Sequence, residues 1–342
     1  MQTKNIIIIG AGPAGLSCAI ELKKISNYNV IIIEKNPEIS YKVCAGGISP
    51  NTFEIDIPKE IIDREFNEMS VFTKTQSIFI RENKAIVATI NRKTLHEYMA
   101  KKAKELGVKI LFKKNIKKIN NQSVTTSLGE KFEFDYLIGA DGSNSIVRKN
   151  LNIKTKKLLT AFQYMIPGNY SHIEFHIDPD EFGFSYAWVF PQKNVISVGT
   201  GYDLNFSKKD FSVMDLRNNF ETWCKKKFNL ENAKFEAFSI NYDYRGFEFG
   251  NIFLAGDAAG FASGLTGEGI RFAILSGKDI ARKIINPKYK VKEIKHILKI
   301  KKRGENLVKL INYNEFLGKK IIELFAFFLK TKIGKKLAAK VL

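Results

Sequence analysis

Cysteine is scarce in this chain, with three residues among 342. Cys18, Cys44 and Cys224 are widely spaced, so the chain alone predicts neither a disulfide framework nor a four-thiolate iron–sulfur cluster. Tracts of Gly, Ser or Pro that would indicate a disordered linker are also missing, and 44% hydrophobic and 26% charged residues are globular values. We therefore expect a protein that is folded throughout and works in a reducing compartment.

Long apolar segments are missing as well. The chain runs from MQTKN directly into a predicted strand at residues 6–9, which leaves no room for a signal peptide. The apolar run at residues 321–329 is too short to span a bilayer. The sequence therefore predicts a cytoplasmic protein.

A nucleotide-binding pattern opens the chain. Residues 5–24, NIIIIGAGPAGLSCAIELKK, predict a buried strand, a glycine turn and an amphipathic helix, with Gly10, Gly12 and Gly15 in the GxGxxG spacing. The first glycine permits the tight turn, the second lets the backbone approach a pyrophosphate, and the third lets helix and strand pack closely. Glu34 ends the next predicted strand, where an acid accepts hydrogen bonds from a ribose hydroxyl. The pattern predicts an adenine dinucleotide but does not distinguish NAD from FAD.

Two later segments also lead from predicted strands into glycine turns. Residues 132–149, FEFDYLIGADGSNSIVRK, pass through Asp141, and residues 251–274, NIFLAGDAAGFASGLTGEGIRFAI, pass through Gly256 and Asp257 into a helix. In this order they resemble the second and third flavin motifs of the para-hydroxybenzoate hydroxylase superfamily. The resemblance implies that the cofactor is FAD.

The same resemblance implies roles for single residues. Asp257 would bind the ribityl chain, and the loop through Gly267, Gly269 and Ile270 would lie along the isoalloxazine, where a helix N-terminus stabilises negative charge on the reduced ring. Arg92, at the start of a predicted helix, occupies the position at which the superfamily often has an arginine that contacts the flavin.

The middle of the chain changes character. Residues 158–244 alternate apolar and polar positions, with one predicted helix near residues 215–227, which predicts an antiparallel sheet. This insertion lies between the second and third flavin motifs, where the superfamily places its substrate domain. We therefore expect an α/β fold with three parts. They are a discontinuous Rossmann-like FAD-binding domain (residues 1–65, 92–157 and 245–285), a substrate domain (66–91 and 158–244) and basic C-terminal helices (286–342).

Aromatic residues occupy every second position of EFGFSYAWVFPQ, residues 181–192. This alternation predicts five rings on one face of a strand, either packed in the core or lining a binding site. The segment from Tyr186 to Pro191 resembles the YxWxFP segment of the geranylgeranyl reductase family, which lines the cavity for the polyprenyl chain. The five aromatic residues are Phe182, Phe184, Tyr186, Trp188 and Phe190.

Cys44 lies in a run of small residues, KVCAGGISP at residues 42–50. The run resembles the same family's cysteine–glycine loop near the flavin, which implies that Cys44 faces the isoalloxazine or the substrate cavity and tunes the flavin or assists proton delivery. The alternative is a small buried hydrophobe. The predicted catalytic residue is Cys44. The predicted cofactor-binding residues are Gly10, Gly12, Pro13, Ala14, Gly15, Glu34, Lys35, Cys44, Ala45, Gly46, Gly47, Arg92, Ile116, Asp141, Gly256, Asp257, Gly267, Gly269 and Ile270. The predicted substrate-binding residues are Phe184, Tyr186, Trp188, Phe190 and Pro191.

His172, Glu174 and His176 alternate along a predicted strand, a possible spacing for metal ligands. The intervening apolar residues would face the core, so we expect this polar set to be the solvent side of the strand and predict no metal.

These patterns favour a reductase that saturates C=C bonds in a prenyl chain of a lipid or quinone by hydride transfer from reduced FAD. One alternative is a flavin-dependent monooxygenase or halogenase; Tyr186 and Phe190 differ from the WxWxIP segment of halogenases, which disfavours halogenation. Another is a membrane-associated flavoprotein that relays electrons to quinone. NAD(P)H, ferredoxin and a reduced quinone all stay open as electron donors.

The net charge of +20 is concentrated in the C-terminal part, where nineteen Lys and Arg against five Asp and Glu follow from Lys278 onward. Aromatic residues cluster elsewhere, which disfavours nucleic acid as a partner. A basic helix with Leu and Phe on one side either lies at an anionic membrane surface or covers the FAD-binding domain, and the sequence leaves both open.

Overall fold

The computed structural model describes residues 3–39, 42–49, 55, 57–203, 205, 211–331 and 334. Within this part of the chain, no helix combines the length and apolar character that crossing a bilayer requires. The helices are α1 (Pro13–Ile25), α2 (Arg92–Glu105), α3 (Ile146–Asn150), α4 (Pro179–Phe182), α5 (Val213–Lys227), α6 (Ile270–Ile285), α7 (Lys292–Ile311) and α8 (Glu315–Phe328). The strands are β1 (Asn5–Ile9), β2 (Asn29–Ile33), β3 (Gly47–Ile48), β4 (Arg64–Phe66), β5 (Glu68–Thr73), β6 (Ser77–Arg81), β7 (Val87–Thr89), β8 (Lys109–Leu111), β9 (Ile116–Ile119), β10 (Ser123–Thr126), β11 (Lys131–Glu133), β12 (Tyr136–Gly139), β13 (Leu158–Pro167), β14 (Glu174–Ile177), β15 (Ala187–Pro191), β16 (Val195–Asp203), β17 (Lys234–Asn241), β18 (Glu248–Phe249) and β19 (Ile252–Leu254).

A six-stranded sheet in the order β18-β19-β12-β1-β2-β8 organises the N-terminal region. Its strands are parallel except for β18 at one edge. β1 is a run of isoleucines with residues 6–9 buried, as expected for a strand covered on both faces. Helices α1 and α6 pack closely, because a Cβ at Gly277 would overlap Ser17, whose hydroxyl donates to the Ile274 carbonyl at 3.0 Å. The predicted Rossmann-like fold is confirmed.

A seven-stranded sheet in the order β17-β13-β16-β15-β14-β5-β6 forms the second layer of the molecule. Its pairs are antiparallel, as predicted, except that β14 runs parallel to β5. The parallel pair joins two segments that are far apart in sequence, so no hairpin dictates its direction. Smaller sheets have the orders β3-β7-β4 and β11-β10-β9.

Helix α5 covers one face of this second sheet, and this overturns one expectation. Glu174 is 4% exposed, not solvent-facing. Its carboxylate accepts hydrogen bonds from the Tyr170 hydroxyl (2.6 Å) and from Lys227 (2.5 Å), and lies 2.7 Å from His176 Nε2. The His176 ring packs against Trp223 of α5 at 4.8 Å between centroids. The prediction of a solvent side is wrong for Glu174 and His176, because α5 covers this face of β14, whereas His172, which precedes the strand, is exposed.

The prediction of five aromatic rings on one strand face is also wrong. Residues 179–182 form the short helix α4, whose N-cap Asp178 accepts a hydrogen bond from the Asp180 amide at 2.9 Å. Gly183, with φ of 61°, then ends the helix, and β15 begins only at Ala187. Phe182 consequently packs against Trp223 of α5, with ring centroids 5.6 Å apart.

The two C-terminal helices, α7 and α8, pack on different parts of the molecule. α7 packs on α6, but α8 packs on the second sheet, where Ala326 and Leu329 contact Val71, Ile78 and Ile80. The alternative in which the terminal helix covers the FAD-binding domain is therefore wrong for α8. Residues 332, 333 and 335–342, which carry the last lysines of the predicted basic tail, lie outside the described residues.

Candidate active site

One cavity of about 1040 Å³ is lined by loops of the six-stranded sheet, by the second sheet and by α7 and α8. We call the part next to Gly12, Glu34, Asp141 and Asp257 the nucleotide end. The part lined by the aromatic residues of β14 and β15 and by α7 and α8 is the apolar end. The loops that follow β1, β2, β12 and β19 meet at the nucleotide end, because the carboxyl ends of parallel strands share one edge of a sheet.

The first glycine loop leaves room for a ligand at one glycine only. Gly10 has φ of 102°, and a Cβ there would overlap the Ala140 carbonyl oxygen. A Cβ at Gly15 would overlap the Gly10 carbonyl oxygen, so Gly15 serves packing and does not line the cavity. A Cβ at Gly12 would meet no protein atom within 4 Å. This open space at the N-terminus of α1 fits a pyrophosphate, which would accept hydrogen bonds from the first amides of the helix.

Glu34 is held by the backbone at the rim of this space. Its Oε2 accepts a hydrogen bond from the Ala11 amide at 2.8 Å, and its Oε1 accepts one from the Asn36 amide at 3.0 Å. Each carboxylate oxygen can accept a further hydrogen bond, as a ribose hydroxyl would require. Lys35 and Ile116 line the same part of the cavity.

Asp141 has a carboxylate oxygen that a bound cofactor could engage. Its Oδ2 accepts a hydrogen bond from the Ile146 amide at 2.6 Å, whereas its Oδ1 is buried with no partner in the described part of the chain. Burial raises the pKa of this carboxyl, although the hydrogen bonds it accepts oppose the shift. A buried acceptor without a donor is what a hydroxyl of a bound cofactor would satisfy.

The third motif closes the nucleotide end. Asp257 Oδ2 lies 3.2 Å from Lys42 Nζ and accepts a hydrogen bond from the Ser143 hydroxyl at 3.3 Å. A Cβ at Gly269 would lie 3.5 Å from Asp257 Oδ1, so the start of α6 lies beside this carboxylate. Gly256, Gly267 and Ile270 also line the cavity. Apart from Gly15, all the predicted cofactor-binding residues line this one cavity, and the cleft fits a flavin dinucleotide.

Cys44 lines the cavity and is half-buried. Its sulfur accepts a hydrogen bond from the Gly46 amide at 3.4 Å and lies 3.8 Å from an Arg92 Nη1 donor. Arg92, buried at the start of α2, also donates to His96 Nε2 at 3.2 Å. The Gln163 side chain donates to the Cys44 carbonyl at 3.3 Å. These contacts fix the thiol at the cavity wall, so Cys44 is not a sequestered core residue; Cys18 and Cys224 are.

The aromatic residues of β15 form one wall of the apolar end. The Trp188 ring lies 6.1 Å from Tyr186 and 6.3 Å from Phe190 between centroids, and Phe175 of β14 joins the same group. The Phe190 ring leaves no room for a side chain on Gly47, since a Cβ there would lie 2.5 Å from it. The aromatic wall therefore packs directly on the cysteine loop.

The two remaining substrate-site predictions differ in outcome. Phe184 lines the cavity and packs against α8, where a Cβ at Gly318 would come within 2.9 Å of its ring. Pro191 does not line the cavity. It ends β15, and its carbonyl accepts a hydrogen bond from the Thr89 hydroxyl at 2.7 Å, so it faces β7.

Among the cavity residues that sequence reasoning missed are an acid and a group of apolar residues from the C-terminal helices. Glu268 lies between the predicted Gly267 and Gly269, and burial raises the pKa of its carboxyl to about 7. An acid inside a glycine loop was a visible signal. The second group is apolar and comes from α7 and α8, whose helical spacing indicated an apolar face but not what it covers. Its members are Leu307, Val308, Ile311, Ile321, Ile322, Phe325 and Leu329.

Comparison with known proteins agrees with this site. Residues 3–289 match the sequence profile of a family described as FAD binding domain, and the chain is an FAD-dependent oxidoreductase of that class. Geranylgeranyl diphosphate reductase of Synechocystis is 29% identical, over 82% of this chain and 75% of that protein. Digeranylgeranylglycerophospholipid reductase 1 of Methanosphaera stadtmanae is 28% identical, over 86% of this chain and 79% of that protein. The chain therefore belongs to the FAD binding domain family, and its sequence is similar to those of geranylgeranyl reductases.

A solved structure agrees with the fold. A Thermoplasma acidophilum protein described as geranylgeranyl bacteriochlorophyll reductase-like superposes with a TM-score of 0.77 at 20% identity, covering 97% of this chain and 92% of that chain. The predicted FAD cofactor and the predicted fold class are thereby confirmed.

Proposed function

We propose that this protein reduces C=C bonds in the prenyl chain of a lipid or quinone, with hydride from reduced FAD. The observation that carries the proposal is the continuity of the cavity, in which the cofactor cleft opens directly onto the aromatic wall of Tyr186, Trp188 and Phe190. The names of the Synechocystis and Methanosphaera relatives, which share a geranylgeranyl chain and differ in head group, support a prenyl chain as the part that is recognised.

The residues of the apolar end bind the prenyl chain and position one of its double bonds. The rings of Phe175, Trp188 and Phe190 provide a wall along which an isoprenoid chain packs and loses contact with water. The polar atoms of this wall already have partners: the Tyr186 hydroxyl donates to the Thr266 carbonyl at 2.7 Å, and Trp188 Nε1 donates to the Ser197 hydroxyl at 3.0 Å. The wall therefore offers an apolar ligand no unpaired polar group. Bound FAD, when reduced, supplies the hydride, and the protein positions one double bond beside it.

Cys44 is proposed to act near the reacting carbon atoms. The Gly46 amide and the Arg92 guanidinium both point donors at its sulfur, which holds the thiol in one place at the junction of the two ends of the cavity. The test is the Cys44→Ser substitution, for which we expect a slower rate of alkene reduction with bound FAD retained. An unchanged rate would contradict this role.

The activity test uses the purified holoenzyme, reduced with dithionite without oxygen and mixed with geranylgeranyl diphosphate. We expect products that are heavier by two hydrogens for each reduced bond, together with reoxidation of the flavin. A hydroxylated product and a stable oxygen adduct of the flavin in air would instead favour a monooxygenase. Reduction of an added quinone without any mass gain in the prenyl chain would favour an electron relay.

We also propose that the outer face of α8 binds an anionic membrane. One face of α8 lines the cavity, and the other exposes large apolar residues to solvent. Lys320 Nζ lies 4.2 Å from the Phe316 ring centroid, and Lys330 Nζ lies 5.8 Å from that of Phe327, so cations border the apolar face as at an interfacial helix. A chain drawn from such a bilayer would need to pass only one helix to reach the cavity. The exposed residues are Phe316, Leu317, Leu324, Phe327 and Phe328.

The membrane test compares substitutions of exposed phenylalanines on α8 with the substitution of an exposed phenylalanine elsewhere. Phe316 is 65% exposed and Phe327 is 56% exposed on α8, whereas Phe79 is 76% exposed on β6 and points away from Ile78 and Ile80, which contact α8. We expect the double variant Phe316→Ser, Phe327→Ser to bind phosphatidylglycerol vesicles about tenfold or more weakly, as measured by co-sedimentation. Phe79→Ser should leave binding unchanged. Equal loss in both variants would contradict a site on α8.

A further inference from the structure

Glu268 belongs to neither the predicted cofactor set nor the aromatic wall, although it lies between them. Its carboxylate reaches from the loop before α6 to the Ser49 hydroxyl, which follows β3 on the wall that carries Cys44; the two oxygens are 3.4 Å apart. The same loop holds Thr266, whose carbonyl accepts the hydrogen bond of Tyr186 from the aromatic wall. Glu268 thus lies where the cofactor loop, the cysteine loop and the aromatic wall meet.

Saturating a double bond requires a proton as well as a hydride, and the charged and polar groups that line this cavity differ in whether another residue already engages them. Lys42 is engaged by Asp257 at 3.2 Å. The Arg92 guanidinium donates to His96 Nε2 at 3.2 Å and lies 3.8 Å from the Cys44 sulfur. The Tyr186 hydroxyl already donates its proton to a carbonyl, and burial raises its pKa far above the usual value. Among the carboxyls that line the cavity and are not exposed, Glu268 accepts no backbone amide and no lysine in the described part of the chain; Glu38, which also lines the cavity, is exposed.

We propose that Glu268 is the acid that supplies the proton for the reduction. The inference rests on the proposed function. Two C–H bonds form: one carbon takes the hydride that reduced FAD supplies, and the other takes the proton as the Glu268 O–H bond breaks. The flavin is oxidised, the C=C bond is reduced, and the Glu268 carboxylate regains a proton from water when the product leaves.

The surroundings of Glu268 favour the protonated carboxyl that this role needs. Burial raises the pKa of Glu268 to about 7, although the positive charge of Arg271 on α6 and the Ser49 hydroxyl both lower it. The other charged groups at this junction, Lys42 and Asp257, form their own ion pair. Below pH 7 the carboxyl is mostly protonated and able to donate, and its donating form is lost as the pH rises through 7.

The first test needs no prenyl turnover. The visible spectrum of the bound oxidised flavin is recorded from low to high pH in the holoenzyme and in Glu268→Gln, which keeps the size of the side chain and cannot ionise. We expect a spectral change centred near pH 7 in the wild type and none in the variant. The proposal is overturned if the wild type shows no such change, or if the variant keeps it. Should Glu268→Gln fail to retain FAD, Glu268→Asp is used, and its transition should persist at a displaced pH.

The second test is the pH profile of single-turnover reduction of geranylgeranyl diphosphate. We expect the wild-type rate to fall above pH 7. In Glu268→Gln, this decrease with pH should be absent, and the rate should be roughly 100-fold lower than in the wild type. Ser49→Ala removes a hydrogen bond that lowers the pKa of Glu268, so the decrease in rate should occur at a higher pH in this variant. A wild-type rate in Glu268→Gln would overturn the proposal. If the wild type itself fails to reduce the prenyl chain, the proposed function fails, while the spectral test still decides whether Glu268 titrates beside the flavin.

Discussion

The two ends of the cavity are built in different ways. At the nucleotide end, the candidate ligand-binding residues belong to short turns. The local backbone of its own loop positions each of Gly12, Glu34 and Asp141. At the apolar end, the wall combines strands of the second sheet with helices from the last part of the chain. One end is therefore local in sequence and the other is assembled by tertiary packing.

A series of hydrogen bonds connects the aromatic wall to the cysteine loop, which lies at the junction of the two ends. Trp188 Nε1 donates to Ser197 Oγ at 3.0 Å, Ser197 Oγ donates to Gln163 Oε1 at 3.1 Å, and Gln163 Nε2 donates to the Cys44 carbonyl at 3.3 Å. Since Ser197 and Gln163 are fully buried, each lost link would remove a hydrogen bond from the interior of the protein. The position of the cysteine loop thus depends on the aromatic wall, and substitutions can show how far the two ends are separable.

The largest effect is expected at the nucleotide end, from Gly12→Val. The backbone at Gly12 is extended and a Cβ meets no protein atom, so the fold tolerates valine while the side chain fills the predicted pyrophosphate space. We expect FAD affinity to fall by roughly 100-fold or more, about 2.7 kcal/mol, with the unfolding free energy of the apo-protein unchanged. Flavin fluorescence titration and chemical unfolding measure the two quantities.

Gly15→Val is the matched control for that prediction. Its Cβ would overlap the Gly10 carbonyl oxygen, so this variant should lose stability as well as FAD binding. Wild-type FAD affinity in Gly12→Val would show that the pyrophosphate does not lie beside this glycine.

The contrast between the ends also explains how far the sequence could predict the molecule. The glycine loops and Glu34 were predictable because a tight turn, a close helix contact and a ribose partner each demand a residue type at a set spacing. The strand predicted through Phe182 was wrong because a capped turn of helix and Gly183 interrupt an alternating pattern. The cover of Glu174 by α5, and of the cavity by α8, depends on contacts between distant segments, which alternation and helical spacing do not specify.

An intermediate effect is expected on the far face of the second sheet, from Glu174→Gln. The buried carboxylate bridges Tyr170, His176 and Lys227, and although burial alone would raise its pKa, these hydrogen bonds hold the pKa at about 2. We expect the unfolding free energy at neutral pH to fall by about 2 kcal/mol, because Lys227 loses its charged partner, with FAD affinity unchanged. Chemical unfolding of the holoenzyme and FAD titration check both statements.

The pH dependence gives that prediction a sign. The pKa of Glu174 is lower in the folded than in the unfolded protein, so its stabilising contribution is complete above the unfolded value and is lost as the pH falls through that value towards 2. The stability difference between wild type and Glu174→Gln should therefore shrink in acid. Glu133→Gln is the control, since Glu133 pairs with Lys131 at 3.0 Å on the surface and should change stability very little. A difference that stays constant in acid would contradict the ionised carboxylate.

The smallest and most selective effect is expected from Trp188→Phe at the apolar end. The chain has two tryptophans; Trp188 lines the cavity, and Trp223 lies on α5 behind the sheet, against Phe182 and His176. Phenylalanine at position 188 keeps an aromatic ring, but it shortens the wall and removes the hydrogen-bond donor to Ser197. We expect this change to weaken stabilisation of the transition state by about 1–2 kcal/mol, which corresponds to a roughly tenfold lower kcat/KM for a prenyl substrate. FAD affinity should be unchanged, and Trp223→Phe should leave both quantities near wild type. Equal losses of kcat/KM in the two variants would mean that the sheet as a whole, and not the cavity wall, governs turnover. A loss of FAD affinity in Trp188→Phe would mean that the Ser197–Gln163–Cys44 connection makes the two ends one unit.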